Sequence, residues 1–236
     1  RTGDADCAAI KQVKEKYALG LTAHGSYYIN LNAAEPEKLT ASRARIVQAV
    51  QKSYLAGVEK MVFHAAFYLD TPRSLVLSRV IEQLKLINQS LTAVERDQVT
   101  ISVETTGKET QFGDLDEVIA VAKVFDNVRP CIDFSHLFAR SRGQINGYDA
   151  FCHILEQLGK ELGQKHLENM HLHLSGIEYG PKGEKKHVLF SESAMDYQGL
   201  LLALKKFAVG GHLIIESPTI EKEALLIRDL FATLPA

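Results

Sequence analysis

Cysteine is scarce in this sequence: Cys7, Cys131 and Cys152 are its whole complement. Their number is odd and their spacing is not that of a metal-binding motif. This excludes a disulfide framework and points to a reducing, cytoplasmic location, with the thiols acting as small apolar residues. Long hydrophobic runs are also missing. No stretch approaches the roughly 18 residues that a membrane span needs, and the opening Arg1-Thr2-Gly3-Asp4-Ala5-Asp6 does not resemble a secretory signal. Charge of one sign is absent too, since 27 basic and 29 acidic residues leave a net −2. The overall charge therefore gives no sign of a polyanion partner, and such a site would have to be a local basic patch. Repeats, low-complexity tracts and linkers are lacking, so residues 1–236 are read as a single domain.

What is present is an alternation. Apolar or β-branched runs at 18–23, 60–63, 99–103, 128–132, 169–172 and 212–215 are hydrophobic on both faces, the signature of strands buried on both sides. Amphipathic stretches at 42–57, 75–90, 115–125, 148–159 and 197–207 lie between them, and Gly57 stands where a helix should stop. The chain opens on another helical stretch, 4–17. Strands alternating with helices predict a parallel sheet with right-handed crossovers, the α/β class. Six strands are visible where the closed barrel of this type has eight. A natural protein that begins earlier, with about two strands and one helix more, is therefore expected, with an open six-stranded sheet as the alternative.

The chemistry gathers at the strand ends. Five of the six runs finish on a residue able to bind a metal, namely His24, His64, Glu104, Asp133 and Glu216, and the sixth carries His171. In a parallel barrel these ends converge on one rim. One buried histidine is usually a hydrogen-bonded core residue. Three histidines and three carboxylates at successive strand ends would repel one another without compensating positive charge, which a divalent cation supplies. The mixed nitrogen and oxygen set suits zinc, manganese or iron rather than magnesium or calcium. His136, three residues after Asp133, and His187, after a loop rich in Gly and Lys at 180–187, extend the constellation. His173 adjoins it, with its side chain expected to face the barrel wall. His153, His166 and His212 are left outside.

At these residues the chain resembles endonuclease IV, the zinc-dependent apurinic/apyrimidinic endonuclease family of the xylose-isomerase-like barrels. The segments that carry the resemblance are residues 24–31 (His-Gly-Ser-Tyr-Tyr-Ile-Asn-Leu), Phe63-His64, Val103-Glu104-Thr105, Cys131-Ile132-Asp133 with His136, Met170-His171-Leu172 and residues 214–218 (Ile-Ile-Glu-Ser-Pro). The similarity runs from about Ala5 to Leu234. It implies a (β/α)8 TIM barrel whose first two strands precede this chain.

The resemblance also implies two to three zinc ions. His24, His64 and Glu104 would hold one, while Glu104, Asp133, His171 and Glu216 would hold another. His136 and His187 would hold the third, with an aspartate two residues before the second histidine. That position is Lys185 here, and lysine offers no lone pair at neutral pH. The neighbouring Glu184 is one residue off, so the third site uses Glu184, binds weakly or is empty.

The implied reaction is cleavage of DNA 5′ to an abasic site by a metal-activated hydroxide, with Glu104 and Glu216 as catalytic carboxylates. Double-stranded DNA would be the partner of a monomeric enzyme. Tyr27 would wedge into the duplex, and Arg140 and Lys185, near Arg142, Lys182 and Lys186, would meet phosphate. A sugar-phosphate isomerase or epimerase on the same scaffold is the alternative, since such enzymes also place His, Asp and Glu around one or two ions. A metal-binding protein without turnover is a third reading.

Overall fold

A computed structural model describes residues 2–235. It resolves into two compact units. The first comprises the residues up to Glu104 together with Thr110–Pro130, and the second comprises Thr105–Glu109 together with the chain from Cys131 onward.

In the first unit, β1 (Thr22–His24), β2 (Lys60–Phe63) and β3 (Thr100–Glu104) lie side by side in that order and run parallel. β4 (Val128–Asp133) begins in this unit, where Ile101 donates its N–H to the Asn127 carbonyl at 2.9 Å just before it. Met61, Val62, Phe63, Ile101 and Val103 are buried, so neither face of β2 or β3 meets water. That is why these strands read as unbroken apolar runs.

The helix Pro36–Ala56 starts with proline in its first turn and ends where Gly57 takes φ 71°. That left-handed conformation costs a glycine least and lets its N–H satisfy the last carbonyls. The helix Asp4–Tyr17 has the bounds expected of it, whereas the run read as a strand from residue 18 starts later. Ala18 is instead the left-handed cap of that helix, and extended backbone begins at Thr22.

In the second unit the end of β4 pairs in parallel with β5 (Met170–Leu174), and β5 pairs with β8 (Gly211–Ile215). The register sets Cys131 opposite His171 and Asp133 opposite His173. The expected loop at 180–187 is instead most of an antiparallel hairpin, β6 (Gly176–Gly180) and β7 (Gly183–Val188). Its charged residues hide strand character because the hairpin exposes one face. A Cβ on Gly183, whose φ is +88°, would collide with the Gly107 carbonyl oxygen, so the turn closes only with glycine there. Tyr179 packs edge-on against Phe138 at 5.2 Å, which seats the hairpin on the helix Phe134–Arg140.

Candidate metal centre

Three strand ends of the first unit bring His24, His64 and Glu104 together, with one possible ligand atom from each lying within 4.8 Å of the others. Glu104 is fully buried, and its Oε2 lies 3.1 Å from Nε2 of each histidine. His24 Nδ1 is 2.9 Å from the Gly25 carbonyl. A carbonyl can only accept, so Nδ1 carries a proton, and Nε2 is the nitrogen that faces Glu104 and that a cation would use. Tyr27 is 73% exposed, and its ring stacks on His24 at 5.0 Å and meets His64 edge-on at 6.2 Å. An aromatic face is thus offered to solvent directly over the two histidines.

The second unit contains a rim group of Asp133, His173 and Glu216. Asp133 ends β4 and caps the following helix, its Oδ1 accepting the His136 N–H at 2.9 Å. Its backbone is clamped by Thr105, whose Oγ1 accepts the Asp133 N–H at 2.9 Å. His173 Nδ1 lies 3.3 Å from Glu216 Oε1.

His171, expected among the rim ligands, is not in this group. Both histidines of β5 share a face because strand side chains repeat every two residues. Depth is decided by pairing: His173 is level with Asp133, while His171 lies one layer down, level with Cys131.

His136, Glu184 and His187 form a further group of the second unit. His136 Nδ1 lies 2.9 Å from the Thr105 carbonyl and His187 Nδ1 3.0 Å from the Glu216 carbonyl. Each ring is therefore protonated at Nδ1. Each turns Nε2 toward the Glu184 carboxylate, at 3.6 Å for His136 and 4.0 Å for His187. Fixing the outer nitrogen on a main-chain carbonyl is how metal-binding histidines are commonly oriented.

Glu184 enters through a β-bulge. Glu178 pairs with Lys186 but Tyr179 pairs with Glu184, so one residue of β6 faces two of β7 and Lys185 is the extra one. The bulge turns Lys185 outward and Glu184 inward. The register thus brings a carboxylate to the histidines although lysine occupies the expected position. The donor set of two imidazoles and one carboxylate fits zinc.

The expected phosphate contacts are otherwise engaged. Arg140 donates to Thr106 Oγ1 at 3.0 Å and to the Lys108 carbonyl at 2.5 Å, bracing residues 105–109. Lys185 and Lys186 both reach Glu178, at 3.1 and 3.5 Å, and the Lys185 hydrogen bond holds the exposed Glu178 carboxyl below the usual carboxylate range. Arg142 pairs with Glu109 at 2.8 Å. Among the described residues no helix is long and apolar enough to cross a membrane.

A family model described as the xylose isomerase-like TIM barrel matches residues 1–234. An uncharacterized protein of Methanocaldococcus jannaschii is 42% identical over 224 residues, spanning 91% of this chain and 81% of its own. A probable endonuclease 4 of Chlorobium luteolum is 28% identical over 216 residues, 88% of this chain and 75% of its own. Among solved structures, endonuclease IV of Thermus thermophilus aligns with a TM-score of 0.68 at 21% identity, covering 98% of this chain and 82% of that one. A D-tagatose 3-epimerase-like protein aligns over the same shares, 98% and 82%, with a TM-score of 0.73 at 15% identity. At these identities the solved structures establish the α/β barrel fold and leave the chemistry to the site.

Proposed function

The chain belongs to the xylose isomerase-like TIM barrel family, and from that premise we propose that it is a metal-dependent phosphodiesterase that cuts DNA 5′ to abasic sites. The observation that carries this reading is the group formed by His136, Glu184 and His187 in addition to the strand-end groups. Aldose–ketose chemistry needs one or two ions. A cation held by a third set of oriented imidazoles would add positive charge without adding a substrate base, which suits a phosphate diester. The similarity to a probable endonuclease 4 points the same way.

Zinc would be held by His24, His64 and Glu104, by Asp133, His173 and Glu216, and by His136, Glu184 and His187, with manganese also compatible with these donors. Bound there, it would supply an activated water and neutralise charge on the phosphate.

The protein's own groups carry the rest. Glu104, buried between two imidazoles, keeps both rings aligned. Glu216 places its carboxylate beside His173 and its carbonyl under His187, so it orients two ligands at once. Neutral imidazoles preserve the net positive charge that an anionic substrate requires. Tyr27, exposed above His24, is positioned to stack in the gap an abasic nucleotide leaves.

The test is a labelled duplex carrying one abasic-site analogue, incubated with zinc- or manganese-loaded protein and with Glu216→Gln. Cleavage 5′ to the lesion that disappears in the variant supports the proposal. Intact DNA with stoichiometric bound metal would overturn it, and interconversion of sugar phosphates by the same preparation would make the chain an isomerase or epimerase.

A further inference from the structure

Beneath the rim lies a second kind of ligand set. Cys131 and His171 are directly paired in register across β4 and β5, and His173 follows on the same face of β5. All three are buried, with exposures of 0%, 2% and 2%, and one possible ligand atom from each lies within 4.8 Å of the others. The two imidazoles meet edge to face, with centroids 4.9 Å apart and planes at 82°. Cys131 is in no disulfide.

We propose that Cys131, His171 and His173 form a buried site for a thiophilic metal ion, distinct from the oxygen-rich rim group. One thiolate and two imidazoles make a soft donor set, suited to zinc, cadmium or cuprous copper, whereas the carboxylates of Asp133 and Glu216 favour harder ions. The size is appropriate. Zinc bonds of about 2.3 Å to sulfur and 2.0 Å to nitrogen put tetrahedral ligands roughly 3.5 Å apart, so side-chain movements of about 1 Å close the site. Binding removes the Cys131 thiol proton to solvent, and the thiolate becomes the ligand.

His173 belongs to both groups, and its Nδ1 is directed at Glu216. The ring's other nitrogen is the one able to serve the deeper ion. A neutral imidazole has a single lone pair, so His173 serves one ion at a time, and an ion below withdraws it from the rim group. This inference stands whether or not the chain cleaves DNA, because it concerns only what the thiol and two rings bind.

The experiment uses the full chain stripped of metal and titrated with cobalt(II). A thiolate-to-cobalt charge-transfer band in the near ultraviolet is expected, reaching the amplitude of one thiolate–cobalt site per chain. It should vanish in Cys131→Ser and persist in Cys7→Ser and Cys152→Ser. His171→Gln should weaken the binding that gives the band by more than about 100-fold, beyond what loss of an outer partner causes. The visible ligand-field bands of cobalt at the other groups report whether each variant is folded. Cobalt bound in stoichiometric amount by the unaltered chain without a thiolate band would overturn the proposal. So would a band that survives in Cys131→Ser.

Discussion

His187 donates its Nδ1–H to the main-chain carbonyl of Glu216 at 3.0 Å, and this bond aims its Nε2 at Glu184. The Glu216 carboxylate meanwhile lies 3.3 Å from His173. A single residue therefore orients one ring through its backbone and meets another through its side chain. Two candidate ligand groups of the second unit are coupled at that point, so a shift of the backbone at Glu216 disturbs both.

Glu184 is expected to behave as a metal ligand although lysine follows it. Glu184→Gln should lower the metal content of purified protein by about one equivalent, because a neutral amide is a weaker ligand than a carboxylate. Lys185→Ala should leave the content unchanged, since that side chain pairs with Glu178 on the outer face. Elemental analysis of both variants checks this. Equal metal in Glu184→Gln and the parent chain would remove Glu184 from the site.

Gly107 has no room for a side chain. A Cβ there would lie 2.6 Å from the Glu184 Cβ and 3.1 Å from His136 Cδ2, while Glu184 is tied to the Gly107 carbonyl by a 2.9 Å hydrogen bond. Gly107→Ala should therefore displace the carboxylate and weaken metal at this group with a loss of roughly 1–3 kcal/mol of stability. Zinc titration and denaturant unfolding measured together would reveal both effects.

Tyr27 separates binding from folding. It is largely exposed, so Tyr27→Ala should change stability by no more than about 0.5 kcal/mol. If the ring stacks against DNA, affinity for an abasic duplex should fall by about 1–3 kcal/mol, or roughly five- to 150-fold. Fluorescence anisotropy on lesion and intact duplexes would show the loss confined to the lesion.

The alkaline limb of stability should carry the signature of Tyr197. Burial pushes its phenol up to about 12 from 10.0, and its hydroxyl donates to the Ser175 carbonyl at 3.2 Å. The folded state thus holds this proton more tightly than the unfolded chain does. The resulting contribution, at most about 2–3 kcal/mol, is fully present below pH 10.0 and is lost as pH rises through about 12. Tyr197→Phe should flatten that decline, and unfolding measured from about pH 9 upward would expose an unchanged slope if the tyrosine is uninvolved.

Much of the architecture and half the logic of the site were legible in the residues. Buried parallel strands announce themselves as apolar runs, so β2, β3, β4 and β8 emerge within a residue or two of their bounds, and His24, His64, Glu104, Asp133 and Glu216, which end or follow strands, fall in the groups able to hold a metal. His171 and His173 could not be ranked that way. Period-two alternation gives both the same face, and only pairing with β4 says which is level with Asp133. The hairpin was hidden for a different reason. Glu184, Lys185 and Lys186 make a polar run with no apolar alternation, because β7 has an exposed face and a bulge breaks its phase.

That bulge makes ligand identity a question of odd and even. Along an unbroken strand, residues separated by an even number share a face, so an acid meant to join His187 belongs two positions before it. Glu184 stands three before, and the one surplus residue, Lys185, restores the parity. Shortening the chain by Lys185 alone would leave a regular strand with glutamate and histidine in the ordinary two-residue spacing and on the same side. Lys185 at the expected position is thus the extra residue of a bulge, with the carboxylate of Glu184 beside it turned toward His187. Position-by-position comparison would score a missing acid where the folded chain has only changed its count.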